Sequence, residues 1–95
     1  MYAIAILHQL DQEKIVATRE AHGAWLRAQS EAGVVLLAGR KSAGGGGIFV
    51  LEGASHDELV KLCATDPFAT SGAARHEVID FEPGYGKLLA TLSGR

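Results

Sequence analysis

Three short segments of the chain are apolar along almost their whole length, and this feature limits the possible folds most strongly. They are YAIAIL (residues 2–7), VVLLA (34–38) and IFVL (48–51). Successive side chains of a strand point to opposite faces of a sheet, so an uninterrupted apolar run is typical of a strand that is buried on both faces. The sequence therefore predicts a sheet that needs a cover on each side.

Two helical segments are predicted, one between the first and second of these strands and one after the third. The first is predicted to begin after Asp11, a suitable N-cap, and to stop at Gly33. The second follows Ser55, which forms a capping box with Glu58, and the Asp-Pro pair at Asp66 is expected to break it. Both ends of each helix are thus marked by residues whose local chemistry favours them.

A fourth strand completes the pattern, because ARHEVIDFEP (residues 74–83) alternates between polar and apolar positions. The order β-α-β-β-α-β is the ferredoxin-like arrangement, an α+β fold with a four-stranded antiparallel sheet and both helices on one face. Since two helices cannot cover both faces, the other face is expected to meet a second copy, giving a homodimer of the dimeric α/β-barrel type. Residues 83–95 are expected to form a C-terminal extension with a short helix.

The composition limits the partners. Ninety-five residues, 47% of them hydrophobic, suit a single domain over 1–95. A net charge of −2 with scattered basic residues gives no field for nucleic acid or an anionic membrane. The chain has no run long enough to span a bilayer, no basic leader, and a single cysteine, so we expect a cytoplasmic protein without nucleic-acid or membrane partners.

His22 and Asp66 support the sharpest chemical hypothesis. At about 100° per residue His22 shares a helix face with Ile15 and Trp25, so it points toward the sheet. The two helices of this fold lie side by side, which brings the middle of the first near the end of the second. An imidazole with a carboxylate partner is a general base, since the carboxylate fixes the ring tautomer. Two plainer interpretations stay open: His22 as a core histidine, and Asp66 as the cap of a short turn that begins with Pro67.

The motifs around these residues resemble the YciI-like (YCII-related) family. They are TREAHGAWL, with Arg19 three residues before His22, the run LLAG, and TDPFATSG, with the DPF triplet at Asp66. The resemblance covers residues 2–81. It implies ferredoxin-like dimers and an active site with a His-Asp dyad, which falls by motif position on His22 and Asp66. For some members it implies proton transfer on ring compounds, including loss of chloride from chlorinated hydroxyaromatics.

The loop RKSAGGGG (residues 40–47) departs from that family, because Arg40 stands where members often have proline. Arg40, Lys41 and Ser42 make the loop cationic and hydroxyl-bearing, beside four glycines that expose backbone N–H groups. The loop either meets an anionic substrate or is a flexible, solvated hairpin. It is not a Walker loop, because no Lys-Ser or Lys-Thr follows the glycines into a helix.

The remaining histidines and the cysteine give weaker hypotheses. His8 ends the first strand on the face of its isoleucines, where it either lines the pocket or only ends the strand. His56 is expected in solvent, His76 on the polar side of the fourth strand, and Cys63 in the core as a small hydrophobe. Their spacing does not suggest a metal site, and nothing in the sequence requires a cofactor.

Three functions fit these observations. The first is a small dimeric enzyme for isomerisation or elimination on a small cyclic or enolisable compound. In it His22 is the general base or acid, Asp66 orients it, and Arg19 holds an anionic or enolic oxygen. The second is a non-catalytic dimeric module that binds a small metabolite in the same pocket. The third is a structural dimer in which His22 and Asp66 only tie helices together. Further candidate substrate-binding residues are His8, Arg40 and Ser42.

Overall fold

Four strands and two principal helices follow one another in the predicted order in the computed structural model, which describes residues 1–93. The strands form one sheet of order β2-β3-β1-β4, in which all neighbours are antiparallel. This confirms the ferredoxin-like α+β prediction. The bounds are β1 Tyr2–Gln9, α1 Gln12–Glu31, β2 Val35–Arg40, β3 Gly46–Glu52, α2 His56–Cys63, α3 Pro67–Thr70, β4 Ala74–Phe81 and α4 Leu89–Ser93.

The predicted caps set the starts of both principal helices. The side chain of Asp11 accepts a hydrogen bond from the backbone N–H of Lys14 at 3.2 Å, and that of Ser55 accepts one from Glu58 at 3.1 Å. After α1 the chain turns at Gly33, whose φ of 80° is the left-handed conformation that glycine adopts at low cost. These local signals therefore fix where α1 and α2 lie along the chain.

The second helix ends earlier than predicted, at Cys63 and not at the Asp-Pro pair. Pro67 has no N–H to donate to the carbonyl of Cys63, and it holds Asp66 in an extended conformation with ψ of 130°. Asp66 instead caps the four-residue helix α3, with Pro67 at its first position. This short helix matches the capped turn that the sequence suggested.

One face of the sheet is buried beneath the helices. α1 packs against β2 and α3, while α2 packs against β1 and β4. The side chains of β1 on this face include Ala3 and Ala5, which are fully buried. Small residues in the central strand let the helices approach the sheet closely. The helices then enclose a core that includes Leu7, Ile15, Phe49, Leu51, Leu59 and Phe68.

The other face of the sheet, here called the open face, presents apolar side chains to solvent. One row crosses all four strands through Leu37, Val50, Ile4 and Ile79. Leu37 is 65% exposed and Ile79 is 46% exposed. The two-sided apolar pattern of the sequence thus leaves one face covered by the principal helices and one face whose apolar row stays partly exposed in the single chain.

A register shift in β2 decides which of its side chains face the helices. The pairing with β3 shifts between Val35 and Leu37, so these two residues lie on opposite faces instead of sharing one. Beyond the shift, Arg40 pairs with Gly47 and lies on the same side of the sheet as Phe49. Without the shift the alternation would place Arg40 on the open face.

The C-terminal segment contains the expected short helix, α4, in its described part. Leu89 and Leu92 are half-buried, and the hydroxyl of Tyr2 lies 3.5 Å from the carbonyl oxygen of Leu92. Tyr85 and Leu88 are exposed, so this segment packs on its own domain only in part. Residues 94 and 95 of the predicted extension lie outside the described residues. No helix within residues 1–93 is long and apolar enough to cross a membrane.

Candidate active site

A cavity of about 590 Å³ lies between α1, α3 and the helix-side face of the sheet. Its walls are mostly apolar, and its rim carries cationic side chains and the backbone of the loop between β2 and β3. This combination of apolar walls with a few polar groups is typical of small-molecule sites, and its volume falls in their usual range. The apolar lining includes Leu7, Ile15, Leu26, Phe49 and Phe68, and the polar lining includes Arg19, His22, Arg40 and Lys41.

His22 stands at the wall of this cavity, on the face of α1 that the helical periodicity predicts. Its side chain is 12% exposed, and its Nδ1 lies 2.7 Å from Oδ1 of Asp66. The ring of Phe68 stacks on the imidazole, with centroids 3.9 Å apart and planes 10° apart. The imidazole is therefore held by a carboxylate at one nitrogen and by an aromatic ring on one face.

Asp66 is fully buried, and its two oxygens accept three hydrogen bonds. Oδ1 accepts from the backbone N–H of Phe68 at 3.0 Å as well as from His22, while Oδ2 lies 2.9 Å from Nε2 of His76. Burial by itself raises the pKa of Asp66, but the hydrogen bonds from His22, His76 and Phe68 outweigh it and lower the pKa below its usual value. The carboxylate is thus a charged acceptor inside the protein.

The ionised state of Asp66 determines the roles of the His22 nitrogens. An ionised carboxylate only accepts, so Nδ1 of His22 must carry the proton that it donates to Asp66. Nε2 is then the nitrogen that is left to exchange a proton with a molecule in the cavity. This is the arrangement of a general base whose tautomer is set by a carboxylate.

One helical turn beyond His22, a second hydrogen bond ties α1 to the same segment. The indole Nε1 of Trp25 donates to Oγ1 of Thr65 at 2.9 Å, next to Asp66 in the chain. Trp25 also lies beside the His22 ring, with centroids 6.3 Å apart. The sequence analysis did not anticipate this contact, which fixes the position of α1 relative to the turn that carries Asp66.

The rim of the cavity is cationic. Arg19 comes from α1 and Arg40 from the end of β2, so the charges approach the opening from different elements. Lys41 follows Arg40 and also lines the cavity, but its Nζ lies 3.5 Å from Nδ1 of His8. Within residues 1–93, no carboxylate lies within ion-pair distance of Arg19 or Arg40. These side chains are therefore available to an anionic group on a bound molecule.

Two predicted substrate-binding residues, His8 and Ser42, do not line the cavity. His8 belongs to the open face because it alternates with Leu7, which faces the cavity. There Nε2 of His8 lies 2.8 Å from Oε1 of Glu77, and its Nδ1 lies 3.5 Å from Nζ of Lys41. Ser42 is exposed in the loop. The interpretation of His8 as a pocket residue is corrected in the single chain.

His76 does not lie on the polar side of β4, where the sequence predicted it. Its side chain is only 5% exposed and it bonds to Asp66. The signal was present in the alternation of β4, because Ala74 and Val78 share its face and both are apolar. His76 therefore lies with the residues that point toward the core.

The loop between β2 and β3 needs glycine for its backbone path. Gly45 has a φ of 81°, and Gly46 has a φ of 141°. A Cβ at Gly46 would also collide with the carbonyl oxygen of Leu7. The run of glycines thus has a structural reason, and it places the loop backbone along the cavity wall.

The other candidate groups lie outside the cavity. Cys63 is buried as predicted, and burial, followed by the charge of Asp66, raises the pKa of its thiol to about 11. His56 is exposed at the start of α2 and pairs with Asp80 at 2.8 Å, which raises the pKa of its imidazole. No cluster of three or more metal-ligating side chains occurs among the described residues.

The fold and the cavity together define a class: a small ferredoxin-like domain with a buried imidazole–carboxylate contact at the wall of an apolar, cation-rimmed pocket. The family model of the YCII-related domain matches residues 1–82. The chain belongs to the YCII-related family, which confirms the resemblance of its motifs.

A solved structure shares this fold. It is 5-chloro-2-hydroxyhydroquinone dehydrochlorinase (TftG) from Burkholderia phenoliruptrix AC1100, in complex with 2,5-dihydroxybenzoquinone. The TM-score is 0.75, the sequence identity is 20%, and the alignment covers 88% of this chain and 96% of that one. The sequence has no significant match among curated proteins.

Proposed function

We propose that this protein is a small enzyme that catalyses proton transfer on a small cyclic or enolisable compound, leading to isomerisation or elimination. One observation carries the proposal: a cavity-lining imidazole, His22, is bound through Nδ1 to the buried, ionised carboxylate of Asp66 at 2.7 Å. An ion pair on the surface would not line a cavity. A histidine with a purely structural role in the core would have no need to line one either.

The proposed reaction begins with Nε2 of His22 taking a proton from carbon next to a carbonyl group. The electron pair of the broken C–H bond moves toward the carbonyl oxygen and forms an enolate, while Asp66 stabilises the imidazolium. Return of the proton to another carbon completes an isomerisation. Departure of a neighbouring leaving group with its bonding electrons, such as chloride, completes an elimination.

Cationic residues at the rim have the proposed role of holding the negative charge. Arg19 lies three residues before His22 on the same helix, so it is placed to hold the enolate oxygen or an acid group. Arg40 lies across the cavity from α1 and adds positive charge. The apolar walls, with Phe49 and Phe68, suit the ring of such a compound. None of these steps needs a cofactor.

The solved relative of the same fold supports the choice of substrate class. That protein is a dehydrochlorinase of a hydroxylated aromatic compound, and it was solved with a dihydroxybenzoquinone. We extend ring chemistry of this kind to the present chain, whose cavity has walls and charges that suit it. The proposal places the enzyme in the cytoplasm, where its single cysteine would stay reduced.

A homodimer through the open face is part of the same proposal, because the apolar row from Leu37 to Ile79 lacks a cover in the single chain. Light scattering at micromolar concentration should give about twice the chain mass of 10.0 kDa. Ile79→Lys should give a monomer, and Val16→Lys, at another exposed apolar site that lies on α1, should not. A wild-type monomer at that concentration would refute the dimer.

The function is tested with a panel of hydroxyquinones and chlorinated hydroxyquinones, followed by absorbance and by released chloride. Turnover by the wild type that is lost in His22→Ala and retained in His56→Ala supports the enzyme. Calorimetry with the same compounds separates the alternatives. Binding without turnover would indicate the metabolite-binding module, and neither binding nor turnover would indicate the structural dimer.

A further inference from the structure

We infer that His76 is a positioning residue of this site and that the working unit has three members, His22, Asp66 and His76, in place of a dyad. His76 donates from Nε2 to Oδ2 of Asp66 at 2.9 Å, on the side of the carboxylate opposite to His22. The catalytic role of His76 rests on the proposed function. The contact between His76 and Asp66 rests on the geometry alone.

The buried carboxylate of Asp66 needs hydrogen-bond donors on both of its oxygens. Asp66 has no exposure to solvent, so each of its oxygens needs a donor from the protein. Within residues 1–93, Oδ1 has two donors, from His22 and from the backbone of Phe68, whereas Oδ2 has one, His76. Without His76, the second oxygen would be a charged acceptor buried with no partner.

His76 itself lies in the interior of the protein. Its ring lies on the helix side of β4, 5.6 Å from the ring of Phe49, and its side chain is 5% exposed. Nδ1 is buried with no hydrogen-bond partner among residues 1–93, so the bond to Asp66 is the ring's one polar contact there. A residue that served only to fill this space would be apolar, like Ala74 and Val78 on the same face.

The electrostatic balance around Asp66 depends on the groups that face it. The groups that face it are His22 from α1, the Phe68 N–H from α3, His76 from β4 and the thiol of Cys63 from α2. No lysine or arginine within the described residues forms an ion pair with this carboxylate. The two imidazoles therefore supply the side-chain donors that keep Asp66 ionised against burial, and an ionised Asp66 holds the tautomer of His22.

Two substitutions separate the donor from the bulk of the ring. His76→Gln keeps an N–H donor at a similar distance along the side chain, and His76→Phe keeps a ring of similar shape without a donor. His56→Phe is the matched control, since His56 also bonds to an aspartate but on the surface. The titration of the Asp66 carboxyl carbon is followed by NMR on the ligand-free protein, so the result does not depend on knowing the substrate.

The pKa of Asp66 should rise in His76→Phe, stay close to the wild-type value in His76→Gln, and not change in His56→Phe. With a substrate in hand, turnover should fall in His76→Phe and return in His76→Gln. An unchanged Asp66 titration in His76→Phe would overturn the inference. So would a glutamine variant as perturbed as the phenylalanine one.

If His76→Phe does not fold, the wild type still decides the question. Long-range ¹H–¹⁵N correlations of His76 at alkaline pH should show the proton on Nε2, and a proton on Nδ1 would refute the donor role. A negative result in these tests would refute the role of His76 without changing the result of the turnover assay with His22→Ala, which tests the proposed function. Failure of that assay likewise would not bear on the contact between His76 and Asp66.

Discussion

Two of the three histidine–aspartate pairs within residues 1–93 belong to different aspartates and have nearly the same length, 2.7 Å for His22–Asp66 and 2.8 Å for His56–Asp80. Their surroundings differ. The side chains of the first pair are 12% and 0% exposed, while those of the second are 47% and 41% exposed. The first lies at the wall of a cavity, and the second joins the first residue of α2 to the C-terminal end of β4.

This comparison shows that the pair of residue types does not by itself make a site. In solvent, water competes for the carboxylate and screens its charge, so a pair such as His56–Asp80 adds little. Inside the protein the same contact is strong, and an unpaired partner is costly. Burial also dedicates one imidazole nitrogen of His22 to Asp66 and leaves the other for a substrate.

The largest expected difference between the pairs is in stability. Asp66→Ala removes an acceptor shared by His22, His76 and the Phe68 N–H, and it should lower the free energy of unfolding by about 3–5 kcal/mol. Asp80→Ala should leave that free energy close to the wild-type value. Urea unfolding of the two variants checks this. Equal losses would show that burial is not what distinguishes the pairs.

The pH dependence of stability should also separate the pairs. The folded pKa of Asp66 is lowered, so its contribution is present above the unfolded value near 3.8 and is lost as pH falls through the folded pKa. The pKa of His56 is raised, so its smaller contribution is present below 6.5 and is lost as pH rises through the folded value.

Thermal melts between pH 2 and 9 test these two windows. Asp66→Asn, which keeps the cap of α3, should flatten the acid side of the melting profile. His56→Ala should lower the melting temperature slightly below pH 6.5 and should leave it unchanged above the folded pKa of His56, where the contribution is already lost. An acid side that is identical in the wild type and in Asp66→Asn would contradict the assignment of that window to Asp66.

The smallest expected effect on stability comes from substitutions in the cationic rim. This rim lies beside the His22–Asp66 pair and not beside the His56–Asp80 pair. Arg40→Ala combined with Lys41→Ala should weaken binding of an anionic ring compound but not of its neutral analogue, because the rim supplies charge. The free energy of unfolding should change by no more than about 0.5 kcal/mol, since these are surface residues. Calorimetry measures the binding, with Lys61→Ala on α2 as the control. Equal weakening for both ligands would show that the rim does not recognise charge.

Much of this architecture could be predicted from local chemistry. The succession of strands along the chain followed from the three apolar runs and from the alternation at residues 74–83, and the helix starts followed from Asp11 and Ser55. The pairing of His22 with Asp66 could be anticipated because a helix has a fixed period and the fold places its two helices side by side. These inferences needed only local rules of strand alternation, helix periodicity and helix capping, together with the arrangement of elements in the ferredoxin-like fold.

What the sequence did not reveal depends on pairing between strands. A run that is apolar on both faces does not say which face the helices cover. The helices lie on the side of Ala3 and Ala5, whose small side chains allow close approach, and this leaves His8 on the open face. The register shift that turns Arg40 toward the cavity is a property of the β2–β3 pairing, and it has no local signature.

The most direct test of the account is the tautomer of His22 in the ligand-free protein. Long-range ¹H–¹⁵N correlation spectra at alkaline pH, where imidazoles are neutral, show which ring nitrogen carries the proton. The account predicts a proton on Nδ1, bound to Asp66, and a bare Nε2 facing the cavity, with His56 as an exposed reference in the same spectrum. A proton on Nε2 of His22 would contradict it, because the nitrogen assigned to the substrate would then be occupied and Asp66 would not set the tautomer.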